Sequence, residues 1–150
     1  MQRRNFLQGV MNGGVAATLA TLFPQAVLAD WPKAAFESKD VNGALQALLG
    51  ATDSQSEQVD VTAPDIAENG AVVPIKVSTK LDKVESITLI AEKNPSPLVA
   101  SFNYSGDCAG FVSTRIKMGE TQNVIVVVKS GGKLYSAQKS VKVTVGGCGG

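Results

Sequence analysis

Apolar residues recur along this chain at two spacings, and the change from one to the other divides it. Val41, Ala44, Leu45, Leu48 and Leu49, with Phe36 ahead of them, follow the three-and-four spacing of a helix that buries one face. The pattern predicts a short amphipathic helix over 40–49, capped by Asp40 and stopped by Gly50. Trp31-Pro32 reads as a packed lead-in, with Trp31 anchoring the helix to the domain, and the polar stretch 52–58 reads as a link. From Val59 onward the period becomes two, the mark of strands with one face buried. Val59-Asp60-Val61-Thr62 alternates, and Pro64-Asp65-Ile66 ends or bends it. After a turn at Glu68-Asn69-Gly70, Val73, Ile75 and Val77 alternate with Pro74, Lys76 and Ser78.

The next run, Val84 to Glu92, carries Ile87, Leu89 and Ala91 on one side. Asn94-Pro95-Ser96-Pro97 then marks a turn or an edge, because proline cannot donate to a ladder. Strands are expected at Val99 to Tyr104, Phe111 to Met118 and Asn123 to Lys129. A turn at Ser130-Gly131-Gly132-Lys133 leads into a last run to Val145, with Val141, Val143 and Val145 opposed to Lys142 and Thr144. About seven short strands with turn signals between them predict an all-β domain, an antiparallel β-sandwich with a short N-terminal helix. Val124-Ile125-Val126-Val127-Val128 is apolar on both faces. A core strand explains this run, and so does a strand covered by a partner chain. With the low charge of the chain, it predicts an apolar surface that a different subunit would cover.

The first 29 residues are set apart from this pattern. Arg3-Arg4-Asn5-Phe6-Leu7 precedes an apolar run broken by Gly and polar residues, and Val27-Leu28-Ala29 suits a cleavage site before Asp30. This is an export signal, and its paired arginines resemble a twin-arginine signal, an address for proteins exported folded. An ordinary secretory signal is the alternative. The run is too short and too interrupted for a membrane span of about 20 residues. The expected organisation is a cleaved signal over 1–29, a domain over 30–145 and an arm over 146–150, in a protein of the bacterial periplasm.

Composition narrows the chemistry. Of 150 residues, 18% are charged, 44% are hydrophobic and none is histidine. The absence of histidine excludes Ser-His-Asp and Cys-His catalysis, histidine metal sites and the usual neutral-pH general base. Losing Arg3 and Arg4 with the signal leaves twelve Lys and Arg against thirteen Asp and Glu. A mature chain near −1 carries no nucleic-acid footprint.

The candidate chemistry lies in the last five residues, Gly146-Gly147-Cys148-Gly149-Gly150. Four glycines around one cysteine carry an ordering cost with nothing to bury, so a mobile tail is expected. The three steps from Val145 to Cys148 reach roughly 10 Å, a narrow tether that suits a tight slot. No cation lies near Cys148, and the terminal carboxylate does. Nothing there favours the thiolate, so Cys148 reads as a handle for other proteins and not as a catalyst. The second cysteine, Cys108, stands in the glycine-bordered turn Gly106-Asp107-Cys108-Ala109-Gly110. A Cys108–Cys148 disulfide is the default for an exported chain and would close a loop of about 40 residues, nominally worth about 4 kcal/mol. It would also leave the glycines without purpose, so Cys108 is expected as a small, partly buried packing residue. Two thiols without histidine cannot complete a tetrahedral metal site in one chain, so neither metal nor cofactor is expected.

With the Arg3-Arg4 signal and lead-in helix, Val59-Asp60-Val61-Thr62-Ala63-Pro64, Asn69-Gly70-Ala71-Val72-Val73-Pro74 and the terminal glycine-cysteine motif resemble the SoxY family. These are sulfur-carrier subunits of the periplasmic thiosulfate-oxidising (Sox) system, and the resemblance covers nearly the whole chain. It implies an immunoglobulin-like β-sandwich paired tightly with a SoxZ subunit and without catalytic activity of its own. Cys148 takes the covalent attachment role, and Gly146, Gly147, Gly149 and Gly150 form the flexible arm. In the family, the cytochrome complex SoxXA couples thiosulfate oxidatively to the arm thiol as cysteine-S-thiosulfonate. The dimanganese hydrolase SoxB releases sulfate. Where present, the dehydrogenase SoxCD oxidises the remaining sulfur, and a second hydrolysis frees the carrier. Cys108 departs from what the family's function requires. A structural or adhesive β-sandwich joined by an intermolecular disulfide, and a thiol redox protein, are the competing readings.

Overall fold

The computed structural model describes residues 32–50, 57–105 and 108–144. The export signal, Trp31 and most of the polar link fall outside them, as do all five residues of the glycine-cysteine motif. Among the described residues, two helices, α1 (Lys33–Glu37) and α2 (Val41–Leu49), precede eight strands. These are β1 (Val59–Thr62), β2 (Ile66–Ala67), β3 (Val73–Thr79), β4 (Val84–Ala91), β5 (Leu98–Asn103), β6 (Phe111–Ile116), β7 (Gln122–Ser130) and β8 (Lys133–Val143). α2 starts and stops where its sequence dictates. The Asp40 carboxylate accepts from the Gly43 amide at 2.7 Å, and Gly50 ends the helix in the left-handed conformation, φ 72°. α1 was not separable in the sequence: five residues make little more than one turn, too short for a periodic stripe.

The strands form two sheets, β1-β3-β6 and β2-β8-β7-β4-β5. The expected antiparallel sandwich is present, with one exception: β2 lies parallel to β8, pairing Ile66 with Lys142 and Ala67 with Val143. Gly131 and Gly132 both take positive φ, 55° and 74°, which a tight hairpin between β7 and β8 requires. Between the sheets lies the main core, including Val73, Ile75 and Val77 from one sheet and Ile87, Leu89, Val124, Val126, Val128 and Val141 from the other.

The five-stranded sheet is buried on its second face as well. Ala35, Ala44 and Leu45 of the helices pack there against Ile90, Leu98 and Val127, with Ile125 and Leu134 partly buried beside them. Ile87, Leu89 and Ala91 of β4 share the core between the sheets, as expected, and Ser86, Thr88 and Ile90 on its other face are buried as well. Thr88 keeps its hydroxyl satisfied 3.1 Å from that of Ser101. The doubly apolar run of β7 is a core strand, the first of its two readings. Val124, Val126, Val127 and Val128 are fully buried, and Val127 is covered by the chain's own helices. The expectation of an apolar surface for another subunit therefore does not rest on these four. Completely burying a side chain such as Leu45 is worth about 1.5–3 kcal/mol, and that gain docks the helices.

Candidate functional site

The root of the terminal tail is the part of the candidate site that can be built atom by atom. β7 and β8 remain in register down to the pair Gln122 and Val141, and β8 continues to Val143 after its neighbour has turned away. The last residues are tied alternately to either side. The Lys142 amide donates to the Asp65 carbonyl at 2.9 Å, and the Thr144 amide donates to the Ala67 carbonyl at 3.1 Å. Between them, the Val143 amide donates to the Thr121 hydroxyl at 3.0 Å. That hydroxyl lies 3.4 Å from the Val143 carbonyl, to which it donates in turn. An ion pair of 2.6 Å between Lys139 and Asp65 also fastens β8 to the segment leading into β2. The hydrogen bond from Lys139, and then its charge, hold the Asp65 carboxyl below the usual carboxylate range.

The loops beneath this root are stitched together by amides. Buried Gln122 accepts from the Lys93 amide at 2.6 Å and donates to the Asn94 side chain at 3.0 Å. Asn94 donates to the Lys117 carbonyl at 2.8 Å. Gly70 approaches so closely that a Cβ there would run into the Met118 carbonyl and Val143 Cγ1. The tail therefore leaves from a braced end of the sandwich. Ile66 and Val72, two of the large apolar side chains left exposed among the described residues, belong to the segments around it.

Cys108 belongs to the opposite end. β3 runs from Val73, beside the Gly70 loop, to Thr79, whose amide bonds the Gly110 carbonyl at 2.9 Å. Contrary to expectation, Cys108 is an exposed free thiol. Its Sγ donates to the Ser105 carbonyl at 3.2 Å and borders an open recess lined by Thr79 to Lys83. Tyr104, half-buried nearby, donates its hydroxyl to the Phe111 carbonyl at 2.9 Å. Its phenol is raised above the ordinary value, first by burial and then by the negative charge of a Cys108 thiolate.

Chain length bears on whether the two cysteines could be joined. The four steps from Thr144 to Cys148 reach about 13 Å at full stretch, and a disulfide adds about 6 Å between Cα atoms. The seven residues of β3 alone separate the ends by roughly 20 Å, so a bridge within one chain would leave no slack. Among the described residues no group of three or more His, Cys, Asp or Glu side chains could hold a metal ion. No described helix is long and apolar enough to cross a membrane.

Cys148, Gly146, Gly147, Gly149 and Gly150 lie outside the described residues, so the site consists of their fixed origin. Thr121, which holds that origin, was missed in the sequence. Its contact with Val143 depends on how far β8 outruns β7, and no local motif encodes that.

Fold and site together define a class: a helix-covered β-sandwich with its last strand clamped where a short cysteine-bearing tail begins. The chain belongs to the SoxY family of sulfur oxidation proteins, whose family model, "Sulfur oxidation protein SoxY", matches residues 45–148. A solved structure of the sulfur carrier protein SoxY from Chlorobium limicola f thiosulfatophilum is 42% identical to it, with a TM-score of 0.62. That match covers 68% of this chain and 94% of the other. The superoxide reductase (neelaredoxin) of Ignicoccus hospitalis shares the fold alone, at 15% identity and a TM-score of 0.52, covering 59% of this chain and 81% of the other. Comparison with curated proteins finds no match.

Proposed function

We propose that this protein is a covalent sulfur carrier in periplasmic thiosulfate oxidation, with Cys148 as the attachment point. The observation that carries the reading is the family match through residue 148, which takes in Cys148 beyond the clamped end of β8. Residues 1–29 are the cleaved export signal, 30–145 the body, and 146–150 the arm, whose glycines slim the tether for a narrow enzyme channel. The protein has no catalytic role of its own. The cytochrome SoxXA loads it: the thiol sulfur bonds to the outer sulfur of thiosulfate, a proton leaves, and two electrons pass to the cytochrome. SoxB hydrolyses the adduct to release sulfate, SoxCD acts where present, and SoxZ is the partner subunit. Sulfur stays bound while the enzymes change, because a tether replaces repeated capture with a high local concentration. An enzyme acting on Cys148 must come within about 13 Å of Thr144, where it meets the Ile66 and Val72 side of the sandwich.

Mass spectrometry of protein from thiosulfate-grown cells tests this reading. Sulfur-bearing adducts are expected on Cys148, and none on Cys108, although Cys108 is exposed. They should vanish in Cys148→Ser while the fold remains. A chain found only as an unmodified or disulfide-linked species would overturn the carrier reading.

A further inference from the structure

We propose that Thr121 is a positioning residue for sulfur transfer: its side chain fixes the point from which the arm pivots. The inference rests on the carrier reading above. β8 outlasts β7 by two residues after the pair Gln122 and Val141. On the β7 side, Val143 therefore has no strand residue opposite it. The Thr121 hydroxyl replaces the missing strand by accepting from the Val143 amide at 3.0 Å and donating to its carbonyl at 3.4 Å. On the other side, backbone carbonyls of Asp65 and Ala67 take the Lys142 and Thr144 amides. One side of the root is thus held by main chain and the other by a single hydroxyl.

Thr121 itself is held from behind. The Lys93 ammonium donates to its carbonyl at 3.3 Å, and the buried Gln122 side chain pins the next residue to Lys93 and Asn94. Without the hydroxyl, Val143 could peel from its neighbour and the pivot would retreat along β8. Each freed residue would lengthen the tether by about 3.3 Å. It would also spread the positions of the thiol, and a misplacement of about 1 Å in a reacting group can cost on the order of 100-fold in rate. Thr121 touches no substrate and acts through Val143.

The test uses full-length mature protein with its partner subunit in a Cys108→Ser background, so that sulfur and alkylating reagents report on Cys148 alone. Thr121→Val keeps the shape and removes the hydroxyl, while Thr121→Ser keeps the hydroxyl. In Thr121→Val, hydrogen exchange at the Val143 amide should accelerate by tenfold or more, with exchange in the β4–β7 core unchanged. Loading by the cytochrome should slow several-fold at saturating carrier, with alkylation by a small reagent unchanged. Thr121→Ser should restore both rates. Unaltered exchange at Val143 would overturn the clasp. A wild-type loading rate in Thr121→Val, a defect shared by Thr121→Ser, or a general loss of fold would overturn the positioning role. If the parent protein takes up no sulfur on Cys148, the carrier reading fails instead, and the exchange result still decides the clasp.

Discussion

An exposed thiol that hydrogen-bonds only to its own turn, as the Cys108 Sγ does to Ser105, is accessible without being structural. Native protein under reducing conditions should therefore show Cys108 modified by iodoacetamide as readily as an unstructured cysteine. Cys108→Ser should alter stability by no more than about 0.5 kcal/mol, as at other surface positions. Peptide mapping after a short pulse checks the first expectation and denaturant unfolding the second. A thiol that reacts only after unfolding would return Cys108 to the packed role expected from sequence. That expectation followed the general tendency of cysteine to be buried and gave too little weight to the glycines beside it. Asp40 and Gly50 were legible for the opposite reason: a cap and a left-handed stop depend on neighbours a few residues away. Thr121 depends on a register set by two whole strands, and so left no local trace.

Among the elements, the helix pair is the one whose placement the sequence left open. The strands from β3 to β8 could be read from alternation and turn residues, but an apolar run such as 124–128 looks the same whatever covers it. Here Val124, Val126 and Val128 join the core between the sheets, while Val127 meets Ala35, Ala44 and Leu45 of the helices. Leu45→Ala should cost about 2–5 kcal/mol, the range for removing a buried leucine side chain, and urea unfolding would measure it. A cost below about 1 kcal/mol would mean that the helices rest on the sheet without contributing to the fold. β2 escaped notice because it has two residues and pairs in parallel, whereas Pro64 ahead of it signals only a break.

For the whole molecule, the division is between a body held by two cores and a tail of a few residues starting at a clamped point. Such a carrier works only if the tether stays thin as well as free. Gly147→Val should leave the fold and the alkylation of Cys148 unchanged, since it follows the last strand, which ends at Val143. It should slow enzymatic loading and unloading at least several-fold, because a branched side chain narrows the available backbone angles and widens the tether. Rates of transfer from the cytochrome, measured beside alkylation of the free protein, decide the matter. Equal transfer rates would leave the proposed channel without support even if Cys148 carries sulfur.

The parallel pairing of β2 with β8 also has a kinetic meaning. Thr144 bonds back to Ala67 across 77 positions of the chain, and contacts that span long separations form late because loop closure comes before any gain. The origin of the arm is therefore expected to be set after local hairpins such as β7–β8 have formed. A partly folded chain would offer its cysteine from no defined place, and enzymes that need a fixed pivot would pass it over. If these bonds set the origin of the tail as proposed, they would also act as a certificate of completed folding. The folded-protein export proposed for the Arg3-Arg4 signal would deliver the protein with that certificate already in place.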